Sequence, residues 1–158
     1  MEFFTIGVYN STEEEYFKKL TDNKIDTFCD IRQIRGVRGA KYSFVNSNRL
    51  QARLKKLNIK YNHVLELAPT SELRTLQKEE DAKKGELQRS RSSISKSFRK
   101  AYTETILRKF DLDSFVSQLK EDGAKKIVLF CVEENPEACH RSIVAKELEK
   151  LGSKIKHI

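Results

Sequence analysis

The chain has no apolar run that approaches the roughly 20 residues of a membrane span. Its opening, MEFFTIGVY, is too short for a secretory signal and lacks the basic start of one. The expectation is a cytoplasmic protein with no membrane partner. Only three cysteines occur, Cys29, Cys131 and Cys139. An odd count without framework spacing argues against a disulfide-stapled secreted domain. With no C-x-x-C, the thioredoxin and zinc-ribbon patterns are excluded. Phosphate-loop fingerprints and internal repeats are missing as well. So is a Cys-x5-Arg loop: Glu137 stands six positions after Cys131, and Ala145 six after Cys139.

What is present is charge, 34% of residues against 38% hydrophobic, in 158 residues with a formal net charge of +8. That length suits a single domain, 1–158, able to bury a substantial core. The basicity is regional. Between Lys83 and Lys109 stand nine basic and two acidic residues, so this segment holds +7 of the +8. Such a stretch suits an anionic partner, nucleic acid included, or a solvated face. Within it, the Ser- and Arg-rich GELQRSRSSIS reads as a basic, mobile insertion at about 82–95.

Short β-favouring runs alternate with helical periods. EFFTIGV, KIDTFCDI, IKYNHV, KKIVLFCV and SKIKHI read as strands. Helices begin at capping residues: Ser11 or Thr12, Asn46 or Ser47, Thr70 or Ser71, Asp111 or Asp113, and Asn135 ahead of Pro136. A further helix carries Phe98 and Tyr102 inward. The order β-α-β-α-β-α-α-α-β-α-β implies a three-layer Rossmann-like α/β fold. It predicts a mostly parallel sheet of about five strands, with helices on both faces.

Ligands of open α/β sheets bind outside the carboxyl ends of the strands. Asn10, Asp30, Arg32, Cys131 and Glu133 fall there, with Arg38 on a Gly-punctuated basic loop. Cys139, His140 and Arg141 fall in the opening turns of the helix expected from Asn135. His140, Val144, Leu148 and Leu151 form one helical stripe, which turns His140 inward and demands a partner for it. Asn10, Arg32, Arg38 and Arg141 are the candidates for anion binding, and Asp30, Glu133, Cys139 and His140 for catalysis. Cys139 beside His140 and Arg141 suits a thiolate nucleophile, or plain core packing. Cys131, Cys139 and His140 also offer metal-ligand atoms, at a spacing that fits no standard zinc motif. His63 reads as a strand residue.

TIG followed by Asn10, the DIR of Asp30–Arg32, ELAPTSELR, the Phe98/Tyr102 pair and CVEENPEACHR together resemble the uncharacterised domain-of-unknown-function family 488. Its members end in a similar C-x-E-x-x-P-x-x-C-H-R pattern. The resemblance implies a Rossmann-like fold and brings no settled activity or cofactor. It marks Asp30, Arg32, Cys131, Glu133, Cys139, His140 and Arg141 as motif positions. The loop after D-x-R departs from the family, where a proline and a Ser-Arg pair are frequent; QIRGVRGAKY keeps Arg38 without either. Three readings stand side by side: a site for nucleotide or nucleic-acid phosphate at the sheet edge, with or without catalysis; a non-catalytic nucleic-acid-binding module using 83–109; and a thiol enzyme centred on Cys139.

Overall fold

The computed structural model describes residues Met1–Ile158. Along the chain run β1 (Glu2–Ile6), α1 (Glu13–Asp22), β2 (Thr27–Asp30), α2 (Ser47–Lys56), β3 (Lys60–His63), α3 (Ser71–Lys84), α4 (Lys96–Thr105), α5 (Leu112–Glu121), β4 (Lys126–Phe130), α6 (Arg141–Lys150) and β5 (Lys154–His157). The sheet order is β3-β2-β4-β1-β5, and every neighbouring pair is parallel rather than only most of them.

Period-two alternation divides the core. Phe4, Ile6, Phe28, Val128 and Phe130 point to one face, where Tyr16, Phe17 and Leu20 of α1 and Leu50 and Leu54 of α2 cover them. Phe3, Cys29, Ile127 and Leu129 point to the other face, under Leu73, Phe98, Tyr102, Leu119, Val144 and Leu148 of α3 to α6. The result is three layers, with β4 and β1 buried between them.

Local chemistry sets the helix starts. Thr12 and Glu15 close a capping box on α1, Glu15 N donating to Thr12 Oγ1 (3.2 Å) and Thr12 N to Glu15 Oε2 (2.8 Å). Thr70, Ser95 and Asp111 cap α3, α4 and α5. Asn46 does not cap α2. Its Oδ1 accepts from Val37 N at 2.7 Å and draws the basic loop of Arg35 and Arg38 against that helix. The last helix also departs from expectation. Asn135 and Pro136 open a single 3-10 turn, Pro136–Ala138; Cys139 is extended, and α6 starts at Arg141 with His140 at its cap. Val144 and Leu148 are buried as expected, whereas Leu151, beyond the last turn, is 46% exposed.

Register aligns the strand exits. Ile6, Phe130, Asp30 and His63 stand side by side across the sheet, so residues that follow them emerge at one edge. Connections leave β1 and β4 towards opposite edges of the sheet, the arrangement that opens a crevice at strand ends.

Candidate functional site

β2 ends on Asp30, which is fully buried. Its carboxylate accepts from Arg32 N (3.2 Å), Arg32 Nε and Nη2 (both 2.8 Å) and the Tyr61 hydroxyl (2.9 Å). Arg32 Nη2 also donates to the Val45 carbonyl, and the guanidinium lies 4.5 Å from the Phe130 ring centroid. His63 Nε2 meets the Arg32 carbonyl at 2.9 Å. Burial alone would lower the Arg32 pKa, but the Asp30 bonds outweigh it and raise it. Asp30 and Arg32 thus fix the course of the chain as it leaves β2. One guanidinium nitrogen, Arg32 Nη1, is buried without a partner.

Arg141 performs a similar task at the end of β4. It is 1% exposed, and its Nη1 and Nη2 donate to the carbonyls of Glu133 (2.5 Å) and Glu134 (2.8 Å). Gly7 faces the same peptide: a Cβ there would overlap the Glu133 carbonyl oxygen. Asn10, at φ 62°, donates through Nδ2 to Glu134 Oε2 and through its amide to the Tyr42 hydroxyl. Three chain segments are thus clamped into one loop.

That loop holds a compact sulfur and imidazole cluster. His140 Nδ1 lies 3.8 Å from Cys131 Sγ and 3.7 Å from Cys139 Sγ. Cys131 Sγ donates to Glu133 Oε2 (3.1 Å), and Arg141 N donates to Cys139 Sγ (3.5 Å). His140 Nε2 lies 3.0 Å from the Ile31 carbonyl. A carbonyl only accepts, so Nε2 carries hydrogen and Nδ1 faces the sulfurs. Burial pushes the Cys131 thiol up, and Cys139 and Glu133 add to the rise. For Cys139 burial acts in the same sense but is outweighed by the Cys131 hydrogen bond, His140 and Arg141, and the direction is down. Burial lowers His140, yet Cys139 and Glu133 more than compensate and the net shift is upward. Glu133 is raised, first by burial and then by Cys139, against the pull of Arg91.

Above the cluster lies the basic insertion, which is tied down on its inner side. Arg91 pairs with Asp81 and Glu133, each at 2.8 Å, and donates to the Ala138 carbonyl. Gln88 reaches the same Glu133 oxygen at 3.0 Å. Leu73, Gln77 and Asp81 form the buried stripe of α3, so part of that stripe is polar and serves Arg91 and the amide of Ser95.

Between this insertion, α3 and the basic loop runs a cleft of about 580 Å³. Of the candidate site residues, Arg32, Arg38, Cys131, Glu133 and His140 line it, and Asn10, Asp30, Cys139 and Arg141 do not. Arg74, Lys78, Arg89 and Arg91 line it too; Arg89 and Arg91 belong to the basic 83–109 segment, Arg74 only closes the ELAPTSELR stretch, and Lys78 carried no signal. Six cations therefore face one carboxylate, that of Glu133. Arg38, Arg74, Lys78 and Arg89 make no ion pair. Arg89 instead lies over Tyr9 and Tyr42, at 5.3 and 5.7 Å from their ring centroids.

Comparison with known proteins adds the family. The model of the domain of unknown function DUF488 matches residues 12–148. No curated protein and no solved structure matches the chain. With most of its length covered, including the strand-end and cysteine motifs, this chain belongs to the DUF488 family.

Proposed function

We propose that the cleft binds a phosphate-bearing anion of nucleotide or nucleic-acid type. The observation that carries this reading is the charge of the cleft: four cations without carboxylate partners converge on one concave surface at the strand exits. Tyr9, which also lines the cleft, adds an aromatic edge for a base. Glu133 at the floor supplies an acid or base group to whatever the cleft holds. In this reading Arg38, Arg74, Lys78 and Arg89 hold the ligand, while Asp30 and Arg141 hold the loops that shape it.

Titration calorimetry at low salt with adenosine triphosphate and with a short single-stranded oligonucleotide tests it. Replacing both Arg38 and Arg89 with Ala should weaken binding at least about tenfold, since a charge-assisted hydrogen bond contributes about 1.5–3 kcal/mol. Unchanged affinity for both probes rejects the reading. Arg32→Ala and Arg141→Ala are poor tests because they remove the scaffold.

The reading of a nucleic-acid-binding module keeps one observation in its favour. Of the nine basic residues between Lys83 and Lys109, Lys83, Arg91 and Arg99 are in ion pairs and the other six are not. Neutralising Lys96, Lys100 and Arg108 separates the two readings. Under it, oligonucleotide binding loses about one unit of salt slope for each cation removed. Under the cleft reading, adenosine triphosphate binding is unaffected.

A further inference from the structure

The geometry points to a zinc-type metal site at the floor of the cleft, with Cys131 Sγ, Cys139 Sγ and His140 Nδ1 as its ligands. These three atoms lie within 4.8 Å of one another and all three residues are buried. The two sulfur-to-nitrogen distances, 3.8 and 3.7 Å, approach the edge of a tetrahedron. With bonds of about 2.3 Å to sulfur and about 2.0 Å to nitrogen, that edge is about 3.5 Å. Two thiolates and an imidazole are the soft donor set that zinc favours.

A second observation concerns the histidine. Its Nε2 is committed to the Ile31 carbonyl at 3.0 Å, which leaves Nδ1 as the nitrogen aimed at the sulfurs. An outer partner of this kind fixes ring orientation and tautomer in metal sites. The cysteines fit the same picture. Cys139 is 1% exposed and off the cleft wall, a poor position for a nucleophile that must reach a substrate. Ligation needs no such access. Cys131, Glu133 and His140 do reach the cleft, so a fourth coordination position would open there, as in zinc sites that keep one place for water or substrate. Glu133, held by Arg91 and Gln88 through Oε1, stands beside that position with Oε2 3.1 Å from Cys131 Sγ. Binding of the ion releases to solvent the protons still held on the two sulfurs and on Nδ1. The site does not depend on the cleft's anion; either can fail without the other.

The test is a cobalt titration of the full chain, stripped of metal and with its three thiols shown to be reduced. Cobalt stands in for zinc and reports thiolate ligation by a charge-transfer band in the near ultraviolet. The expected result is one cobalt per chain, an intense band and visible absorption of tetrahedral form, both removed by added zinc. Cys131→Ser, Cys139→Ser and His140→Ala should each lose the site, whereas Cys29→Ser should keep it. Glu133→Gln should keep the band, because Glu133 is not among the ligands. A wild-type protein with three free thiols and no band overturns the proposal, with no variant involved. A band that survives in folded Cys131→Ser or Cys139→Ser overturns it too.

Discussion

The floor and the rim of the cleft are built from the same residue types and treat charge in opposite ways. On the floor and in the layer beneath it every ionic group is answered inside the protein: Asp30 by Arg32, Glu133 by Arg91, and Arg141 by two carbonyls. On the rim Arg38, Arg74, Lys78 and Arg89 pair with no carboxylate. A buried arginine must be paired, because taking it out of water costs several kcal/mol. An exposed one needs no partner and stays available. Burial thus divides the arginines into those that hold the chain and those that can hold a ligand.

Removing a floor charge should have the largest effect. Asp30→Ala leaves Arg32 buried and uncompensated and should cost about 3–5 kcal/mol, read from the denaturant midpoint. Against a total stability of about 5–15 kcal/mol, that approaches unfolding. The double change Asp30→Ala with Arg32→Met should recover part of the loss, because an apolar replacement of a buried pair is often tolerated. A cost below about 1 kcal/mol for Asp30→Ala would mean that Arg32 finds water, and the contrast with the rim would collapse.

The next test sets two glycines against each other. A Cβ at Gly7, beneath the floor, meets the carbonyl carbon of Glu133 at 2.8 Å as well as its oxygen. Both are backbone atoms locked by Arg141, so Gly7→Ala should cost about 1–3 kcal/mol through overpacking. At Gly36, on the rim, the nearest atom is Asn46 Oδ1 at 4.0 Å. Gly36→Ala should therefore stay within about 0.5 kcal/mol of wild type in thermal or denaturant unfolding.

Much of the floor was legible in the sequence, and little of the rim. Strand ends are marked by the change from apolar runs to polar residues, and a parallel sheet brings such ends to one edge. Asp30, Arg32, Cys131, Glu133 and His140 could therefore be placed together from pattern alone. Their partners could not. Arg32 and Arg141 read as anion ligands because charge shows in a sequence and burial does not. Arg91 lay in a Ser- and Arg-rich stretch that reads as a mobile loop; its anchor, Asp81, sits on a helix stripe where a hydrophobic residue would be the usual choice. The helix boundary at Asn135 misled in a different way. A capping residue before proline can open a short 3-10 connector as well as an α-helix, and here the chain takes one turn and is extended at Cys139.

Cysteines sharpen the comparison from within the core. Cys29, next to Asp30 on β2, is fully buried, and burial pushes its thiol up to about 12. The unfolded thiol ionises near pH 8.5. Because the folded pKa is the higher one, the unfolded state loses its proton first as pH rises. The stabilising contribution of the neutral thiol is complete below about pH 8.5 and falls by about 1 kcal/mol per pH unit above it. The stability difference between wild type and Cys29→Ala, measured from pH 8 to pH 10, should shift by about 2 kcal/mol in favour of the variant. A difference that stays level with pH would show that Cys29 is not desolvated in this way.

The smallest effects belong to the rim, where they matter most for function. Arg89→Ala removes contacts over Tyr9 and Tyr42 and should cost no more than about 0.5–1 kcal/mol. Arg38 is exposed and makes no ion pair, so Arg38→Ala should change stability by less than about 0.5 kcal/mol. Both values come from the same denaturant curves as the floor variants. If Arg38→Ala instead destabilises the chain by 1 kcal/mol or more, on the order of a lost hydrogen bond, its guanidinium is structural and belongs with Arg32 and Arg141. If stability holds while phosphate binding falls, burial has separated scaffold from ligand site, and residue type has not.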